Sequence, residues 1–391
     1  MNITTDVKYI GIDDAELTIF ESQYKLPAGM CYNSYLILDN KVAIIDTTDQ
    51  RKVDEWEVKL KNELGGRKPD YLVVQHMEPD HSSGIARAIE LYPEIKIVAS
   101  AKAFHLIELY FEGIDLTNRV LIVKEGDTLE LGAHTLQFFA APMVHWPEVI
   151  VTYDQKDKIL FSADGFGKFG TMNADPDDWA CEARRYYFNI CGKYGVQVQA
   201  LLKKAATLDI EQILPLHGPM LKGDAMAEAL RLYDIWSRYD VETHGVFVAY
   251  ASIHGGTKVA ALRLADMLRE KGVPKVSVSD LTTDDQAEAI EDAFRMSHLV
   301  CCASSYDGGL FPPMHDFLHH LKIKAYQRRT AALLENGSWA PCAARVMREM
   351  LTEMKDINIM EPTITIHGRM HIEDVAKLEE LANNIAADFL N

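Results

Sequence analysis

The stretch HMEPDHSSG, residues 76–84, sets two histidines, a glutamate and an aspartate within six consecutive positions. It follows the apolar run YLVVQ (71–75), which reads as a buried strand, so the ligand-rich residues form the loop at that strand's C-terminal end. Pro79 pushes Glu78 toward an extended conformation. Extended backbone alternates its side chains, so His76, Glu78 and Asp80 are expected on one side. His81 joins them only if the chain turns there, and Ser82, Ser83 and Gly84 supply turn and N-cap chemistry. The simpler alternative is a polar loop entering a helix, its acids placed for the helix dipole. That reading suits a lone H-x-E better than four ligand side chains in six residues.

More ligand types recur just after apolar runs. His145 follows FFAAPMV, Asp164 ends KILFSAD, and His217 ends QILPLH. If these runs are strands, all could meet on one edge of a layered structure. The surrounding pattern agrees. NSYLILDNKVAIID is a hairpin with Asp39-Asn40 at its tip, IKIVAS (95–100) is a buried strand, and RVLIV, TLELGAHTLQFFA and EVIVTYDQKDKILFSAD continue the series. A helical region is expected around 177–208, and one more strand at 212–217. This is strand-rich α/β layering with helices outside.

From residue 246 the pattern becomes strict alternation. VFVAY, KVSVSDL, HLVCCAS, TAALLEN and PTITIHG are each followed by a helical segment, and these five units imply a five-stranded parallel sheet, doubly wound. The boundary falls in RYDVETHG (238–245), giving domains 1–243 and 244–391. Three loops at strand ends of the second domain are candidates for a phosphate and a planar ring. YASIHGGTK offers Ser252, Ile253, His254, Gly255, Gly256 and Thr257, with hydroxyls and open backbone N–H groups at a helix start. SSYDGGLFPP offers Ser304, Ser305, Tyr306, Asp307, Gly308 and Gly309. ENGSWAP offers Asn336, Gly337, Ser338 and Trp339. Singly, each loop reads as a turn or an apolar cover of the sheet end. The first of these loops, YASIHGGTK, is neither a Walker A nor a G-x-G-x-x-G pattern.

With 391 residues, 58 acids, 40 bases and a net charge of −18, the chain is a two-domain globular protein whose surface repels phosphate backbones, so nucleic acid is not expected as a partner. No apolar run reaches the ~20 residues that span a bilayer, and no signal peptide is visible, so no membrane association is expected. The six cysteines form no C-x-x-C pair and read as reduced thiols, which points to the cytoplasm. The histidines outside these motifs read as structural or solvated, His134 and His298 among them.

The order H-x-E-x-D-H, then His145, Asp164 and His217, resembles the metallo-β-lactamase fold in its flavodiiron version, and the three later loops resemble a flavodoxin-type flavin mononucleotide (FMN) site. The resemblance spans the whole chain. It implies an N-terminal metallo-β-lactamase-like αββα sandwich followed by a flavodoxin-like five-stranded parallel doubly wound sheet. It implies one iron held by His76, Glu78 and His145, and another by Asp80, His81 and His217, with Asp164 bridging. Family members differ in whether the residue matching His81 coordinates. Trp146 matches a residue that walls the site, although core packing would account for it equally. Hydrolytic members carry a histidine where Glu78 stands, and a hard anionic donor favours ferric iron over zinc chemistry. The family implies FMN and two non-heme irons that reduce dioxygen to water, nitric oxide to nitrous oxide, or both. It implies an external electron donor such as rubredoxin or a flavoprotein reductase, since no C-x-x-C pair for a fused rubredoxin is present. A head-to-tail homodimer, or a dimer of dimers, is expected. The alternatives are a zinc hydrolase with an accessory flavin domain, and a flavin electron carrier with a vestigial metal edge. Glu78 argues against the first and the full ligand set against the second.

Overall fold

A computed structural model describes residues 1–174 and 178–390, and in it the chain forms two compact units. One comprises Met1–Tyr187 with Val196–Asp234, the other Phe188–Gly195 with Ile235–Asn391. The helical region expected from residue 177 begins on a residue outside those described, and its helices run Trp179–Ile190 and Gly195–Ala205.

The first unit is built on two six-stranded sheets. One passes through Val7–Tyr9, Tyr35–Leu38, Val42–Ile45, Tyr71–Val74, Lys96–Ala99 and Val120–Ile122. The other passes through Thr128–Glu130, Thr135–Ala140, Ile150–Asp154, Ile159–Phe161, Gln212–Leu214 and Leu221–Lys222. Strand alternation divides the core. Val73 packs between the sheets with Phe138, Phe161 and Leu214, whereas Leu72 and Val74 face the helices with Trp56, Leu60 and Ile107. Helix Val53–Leu64 buries Val53, Trp56, Leu60 and Leu64 at helical spacing and ends on Gly65, whose φ of 57° makes a left-handed cap. Each of those buried aliphatic side chains contributes about 1.5–3 kcal/mol.

The extended reading of the ligand loop holds as far as Glu78, at φ −58° and ψ 138°, and no further. Pro79–Ser82 forms a helical turn with Pro79 at its first position, where a fixed φ and a missing N–H suit a helix start. Asp80 therefore belongs to the turn rather than to an alternating extended segment. The same turn carries His81, which is fully buried.

In the second unit the parallel strands lie in the order Val276–Asp280, Thr243–Ala251, Met296–Tyr306, Gln327–Asn336, Lys355–Ile359. With the second strand outside the first, this is a doubly wound order. The fifth position differs from expectation. It is shared by Lys355–Ile359, which pairs with Gln327–Ala331, and Ile364–Ile366, which pairs with Leu334–Asn336. PTITIHG signals only the second piece; the first, KDINI, is too exposed to show a buried-strand pattern. Helices Gly256–Glu270 and Ile372–Ala387 cover one face, where Ala260, Leu264 and Leu268 meet Leu378, Leu381 and Ile385.

Candidate metal centre and cofactor pocket

The four strand-end loops of the first unit converge. His76, Glu78, His145 and Asp164 form one group of donors, and Asp80, His81 and His217 a second; within each, one donor atom per residue lies within 4.8 Å of the others. Asp164 faces both groups. Its Oδ2 lies 3.1 Å from His145 Nε2 and 3.4 Å from His76 Nε2, while its Oδ1 lies 3.2 Å from His81 Nε2 and 3.8 Å from His217 Nε2. Glu78 Oε2 joins the first group at 2.9 Å from His145 Nε2 and 3.1 Å from His76 Nε2. Asp80 Oδ2 joins the second at 3.2 Å from His217 Nε2 and 3.4 Å from His81 Nε2.

This donor set fits metal ions. Both carboxylate oxygens of Asp80, and Asp164 Oδ1, are buried without a hydrogen-bond partner among the described residues. Such oxygens are costly unless a cation or donor satisfies them. Mixed imidazole and carboxylate donors suit first-row transition metals. The protonation pattern of the bare site points the same way. Burial alone would depress the histidines, yet Asp164, Glu148 and Glu78 hold His76 well above its ordinary value. Against burial, Asp164 and Glu78 push His145 up to about 9, and Asp80 and Asp164 push His81 up to about 8. Burial would raise the facing carboxylates, but His145 and His76 hold Glu78 far below its usual range, and His81 and His76 do so for Asp164. Protons on imidazole thus balance the carboxylates, and a metal must displace them.

Several residues around the cluster are not legible in the sequence. Glu148 is buried, and its Oε1 accepts from His76 Nδ1 at 2.8 Å and from the Met77 N–H at 2.9 Å. His217 Nδ1 donates to the Cys31 carbonyl at 2.7 Å. Asp46, at φ 52°, accepts from the Gln75 N–H at 2.8 Å, the Gln75 side chain at 3.0 Å and the His76 N–H at 3.4 Å; burial pushes it up to about 6. Glu21, at the tip of the hairpin Ile19–Lys25, is exposed, and partial burial of its carboxyl together with the neighbouring Glu78 carboxylate pushes it up to about 7. Trp146 stands edge-on to His76 with ring centroids 5.3 Å apart, and Phe20 and Tyr186 lie 5.7 and 5.6 Å from the His217 ring. These rings wall the cluster. His134, expected to lack ligand-like neighbours, has Asp154 at 2.9 Å; Lys156, 3.0 Å from its other nitrogen, makes the group an ion-pair knot.

The second unit holds a cavity of about 480 Å³ at the C-terminal ends of its strands. All three loops singled out in the sequence reach it. Ile253, His254, Gly256, Thr257, Ser304, Ser305, Tyr306, Asp307, Gly308, Asn336, Gly337, Ser338 and Trp339 line it. Ser252, Gly255 and Gly309 do not line it; the Ser252 hydroxyl accepts from the Gly255 N–H at 3.1 Å. Ser305 Oγ accepts from the N–H groups of Cys342 and Ala343, tying this loop to the start of helix Ala343–Thr352. Trp339 is 92% exposed and Tyr306 46%, so both aromatic faces are open at the rim. A fourth loop also lines the cavity. Gly368 exchanges two 2.9 Å hydrogen bonds with the Asn336 side chain, an arrangement that no spacing in the sequence announces.

Comparison with known proteins bears out the resemblance. The profile of the ODP family beta lactamases matches residues 30–218. A nitric oxide reductase of Moorella thermoacetica is 27% identical over 98% of this chain and 98% of its own. Rubredoxin oxygen:oxidoreductase from Desulfovibrio gigas superposes with a TM-score of 0.92 at 25% identity, covering 99% of this chain and 98% of that one. The flavodiiron protein of Giardia intestinalis gives a TM-score of 0.90 at 26% identity, covering 99% and 94%. In its ligand order, in the succession of its two units and over nearly its whole length, the chain is similar to the flavodiiron proteins, and it is an oxidoreductase.

Proposed function

We propose that the protein reduces dioxygen to water, nitric oxide to nitrous oxide, or both, with electrons passing from an external donor through FMN to a pair of irons. The observation that carries this is Asp164, one oxygen turned to each donor group, with a carboxylate, Glu78, where a hydrolase would have histidine. His76, Glu78 and His145 would hold one iron, and Asp80, His81 and His217 the other, within a domain spanning 1–243. The loops at 252–257, 304–309 and 336–339 would hold FMN within a domain spanning 244–391, its phosphate at the start of helix Gly256–Glu270. When bound, the flavin supplies a store of electrons, and the irons a redox-active Lewis acid for the gas.

The chain's own residues shape the rest. Trp146, Phe20 and Tyr186 keep water from the cluster. Both reductions take up protons with electrons, and Glu21, beside Glu78 and open to solvent, is placed to pass them inward. The two sites belong to different sheets, which favours a head-to-tail homodimer, or a dimer of dimers, that sets one subunit's flavin beside the other's irons. The donor would be rubredoxin or a flavoprotein reductase. The cysteines form no C-x-x-C pair, which supports a cytoplasmic setting, and no helix among the described residues is long and apolar enough to cross a membrane.

The test is to reduce loaded protein anaerobically and follow dioxygen and nitric oxide consumption in parallel, with metal and flavin analysis. Two irons and one FMN per chain, and turnover of at least one gas, are expected. Zinc alone in protein expressed with iron in excess, or no turnover of either gas, would overturn the reading.

A further inference from the structure

We propose that Glu148 is a positioning residue that sets the two metal positions electronically apart, an inference that rests on the diiron reading above. Its carboxylate is 2% exposed and does two things at once. Oε1 accepts from His76 Nδ1 at 2.8 Å, which keeps a proton on Nδ1 and turns Nε2, the nitrogen left for a metal, toward Glu78 and Asp164. The same oxygen accepts from the Met77 N–H at 2.9 Å, tying the group to the ligand loop itself. The backbone of Glu148 cannot swing away, because its carbonyl accepts from Ser100 Oγ at 2.7 Å and the Ile150 N–H donates to the Gln75 carbonyl at 3.1 Å.

The other position has no such partner. His217 Nδ1 donates to a neutral carbonyl, that of Cys31, at 2.7 Å, and His81 Nδ1 has no hydrogen-bond partner among the described residues. A carboxylate behind a histidine makes that imidazole a more basic, more electron-rich ligand than a carbonyl does. The position held by His76, Glu78 and His145 therefore favours the higher oxidation state. With iron bound, the Asp80, His81 and His217 position would take its one electron from the flavin, Fe(III) to Fe(II), at the higher potential, and the His76 position would take its own at the lower.

Glu148→Gln tests this, since it keeps the shape and an acceptor oxygen but removes the charge. The loaded wild type and variant are titrated with reductant while electron paramagnetic resonance follows the half-reduced pair. The lower of the two one-electron steps is expected to move to higher potential while the upper stays, so the half-reduced state persists over a narrower range. Equal movement of both steps, or movement of neither, with two irons retained, overturns the proposal. Metal-free Glu148→Ala supplies a readout that needs no iron. Titrated with cobalt(II), it is expected to weaken one site by about 10–100-fold and leave the other unchanged; equal weakening of both overturns the proposal. If wild-type protein holds no pair of irons, the diiron reading itself fails, which the metal analysis of the unaltered chain reports separately.

Discussion

Gly256→Ala should damage the proposed FMN site through a collision with a neighbouring backbone carbonyl. A Cβ at this position would lie 2.2 Å from the Gly368 carbonyl oxygen and 3.0 Å from Asn336 Nδ2. Those two atoms are themselves hydrogen-bonded at 2.9 Å, and the Gly368 N–H returns to Asn336 Oδ1 at 2.9 Å, so neither can retreat alone. Overpacking of this kind costs about 1–3 kcal/mol. Without cofactor the two loops can relax apart, but a bound phosphate holds the first loop in place, so the strain appears in the affinity. The expected loss is about 5- to 150-fold in Kd. Asn336→Ala alone also weakens binding, by freeing Gly368. In its background, however, Gly256→Ala should cost less, because Gly368 can then move; a coupling of about 0.5–3 kcal/mol is expected for groups in contact. Fluorescence titration of apoprotein with FMN, on the wild type, both single variants and the double variant, measures all four affinities. Strict additivity, or a Gly256→Ala affinity within about twofold of wild type, would refute the contact argument, since it needs both strain and coupling.

Asp164→Ala should lose metal from both positions, because its two oxygens face different donor groups, whereas Asp80→Ala should lose one; metal-to-protein ratios by elemental analysis decide, and loss of a single metal in the Asp164 variant refutes the bridge. The metal-free protein should become less stable at alkaline pH. His81 and His145 are raised to about 8 and about 9 from 6.5, so their stabilisation is fully present below about 6.5 and lost as pH rises through about 8 to 9. Thermal melting in chelator from pH 6 to pH 10 measures this, and a flat or rising profile contradicts it. For the head-to-tail dimer, coexpressed Gly255→Val and His145→Ala chains should form heterodimers with one intact flavin–iron pair and restored gas consumption. Heterodimers that keep their remaining cofactors yet show no activity would mean that electrons move within one chain.

The candidate metal cluster was legible where its donor residues are adjacent in the chain and dim where contact alone makes a residue matter. Four ligands in six residues announce themselves, and His145, Asp164 and His217 share one local signature, a ligand type just past an apolar run. Period-two reasoning failed at Pro79, because a proline that disfavours helix at the residue before it also favours a helix start at its own position. Glu148 lies 72 residues from His76, and its neighbours mark it only as one more acid in HWPE. Gly368 had a similar disguise, sitting past the fifth strand where flavin loops are not expected. The piece KDINI of that strand was hidden because edge positions carry no buried pattern to read.

What the sequence could not show also explains why so short a loop suffices. Its backbone is fixed before any metal arrives. Asp46 grips the Gln75 and His76 N–H groups at the entry, and Pro79 starts the turn. At the exit, the Thr47 hydroxyl donates to the His81 carbonyl at 2.6 Å and accepts from the Gly84 N–H at 3.1 Å. Gly84 has to be glycine, because a Cβ there would lie 2.8 Å from the Thr47 Cβ. Behind the ligands, Glu148 fixes the His76 ring and the Cys31 carbonyl the His217 ring. A metal therefore meets side chains already aimed, and the main cost left at binding is the displacement of imidazole protons rather than the ordering of a loop. That division places metal selectivity in the donor set, the carboxylate of Glu78 included, rather than in the ordering of the backbone.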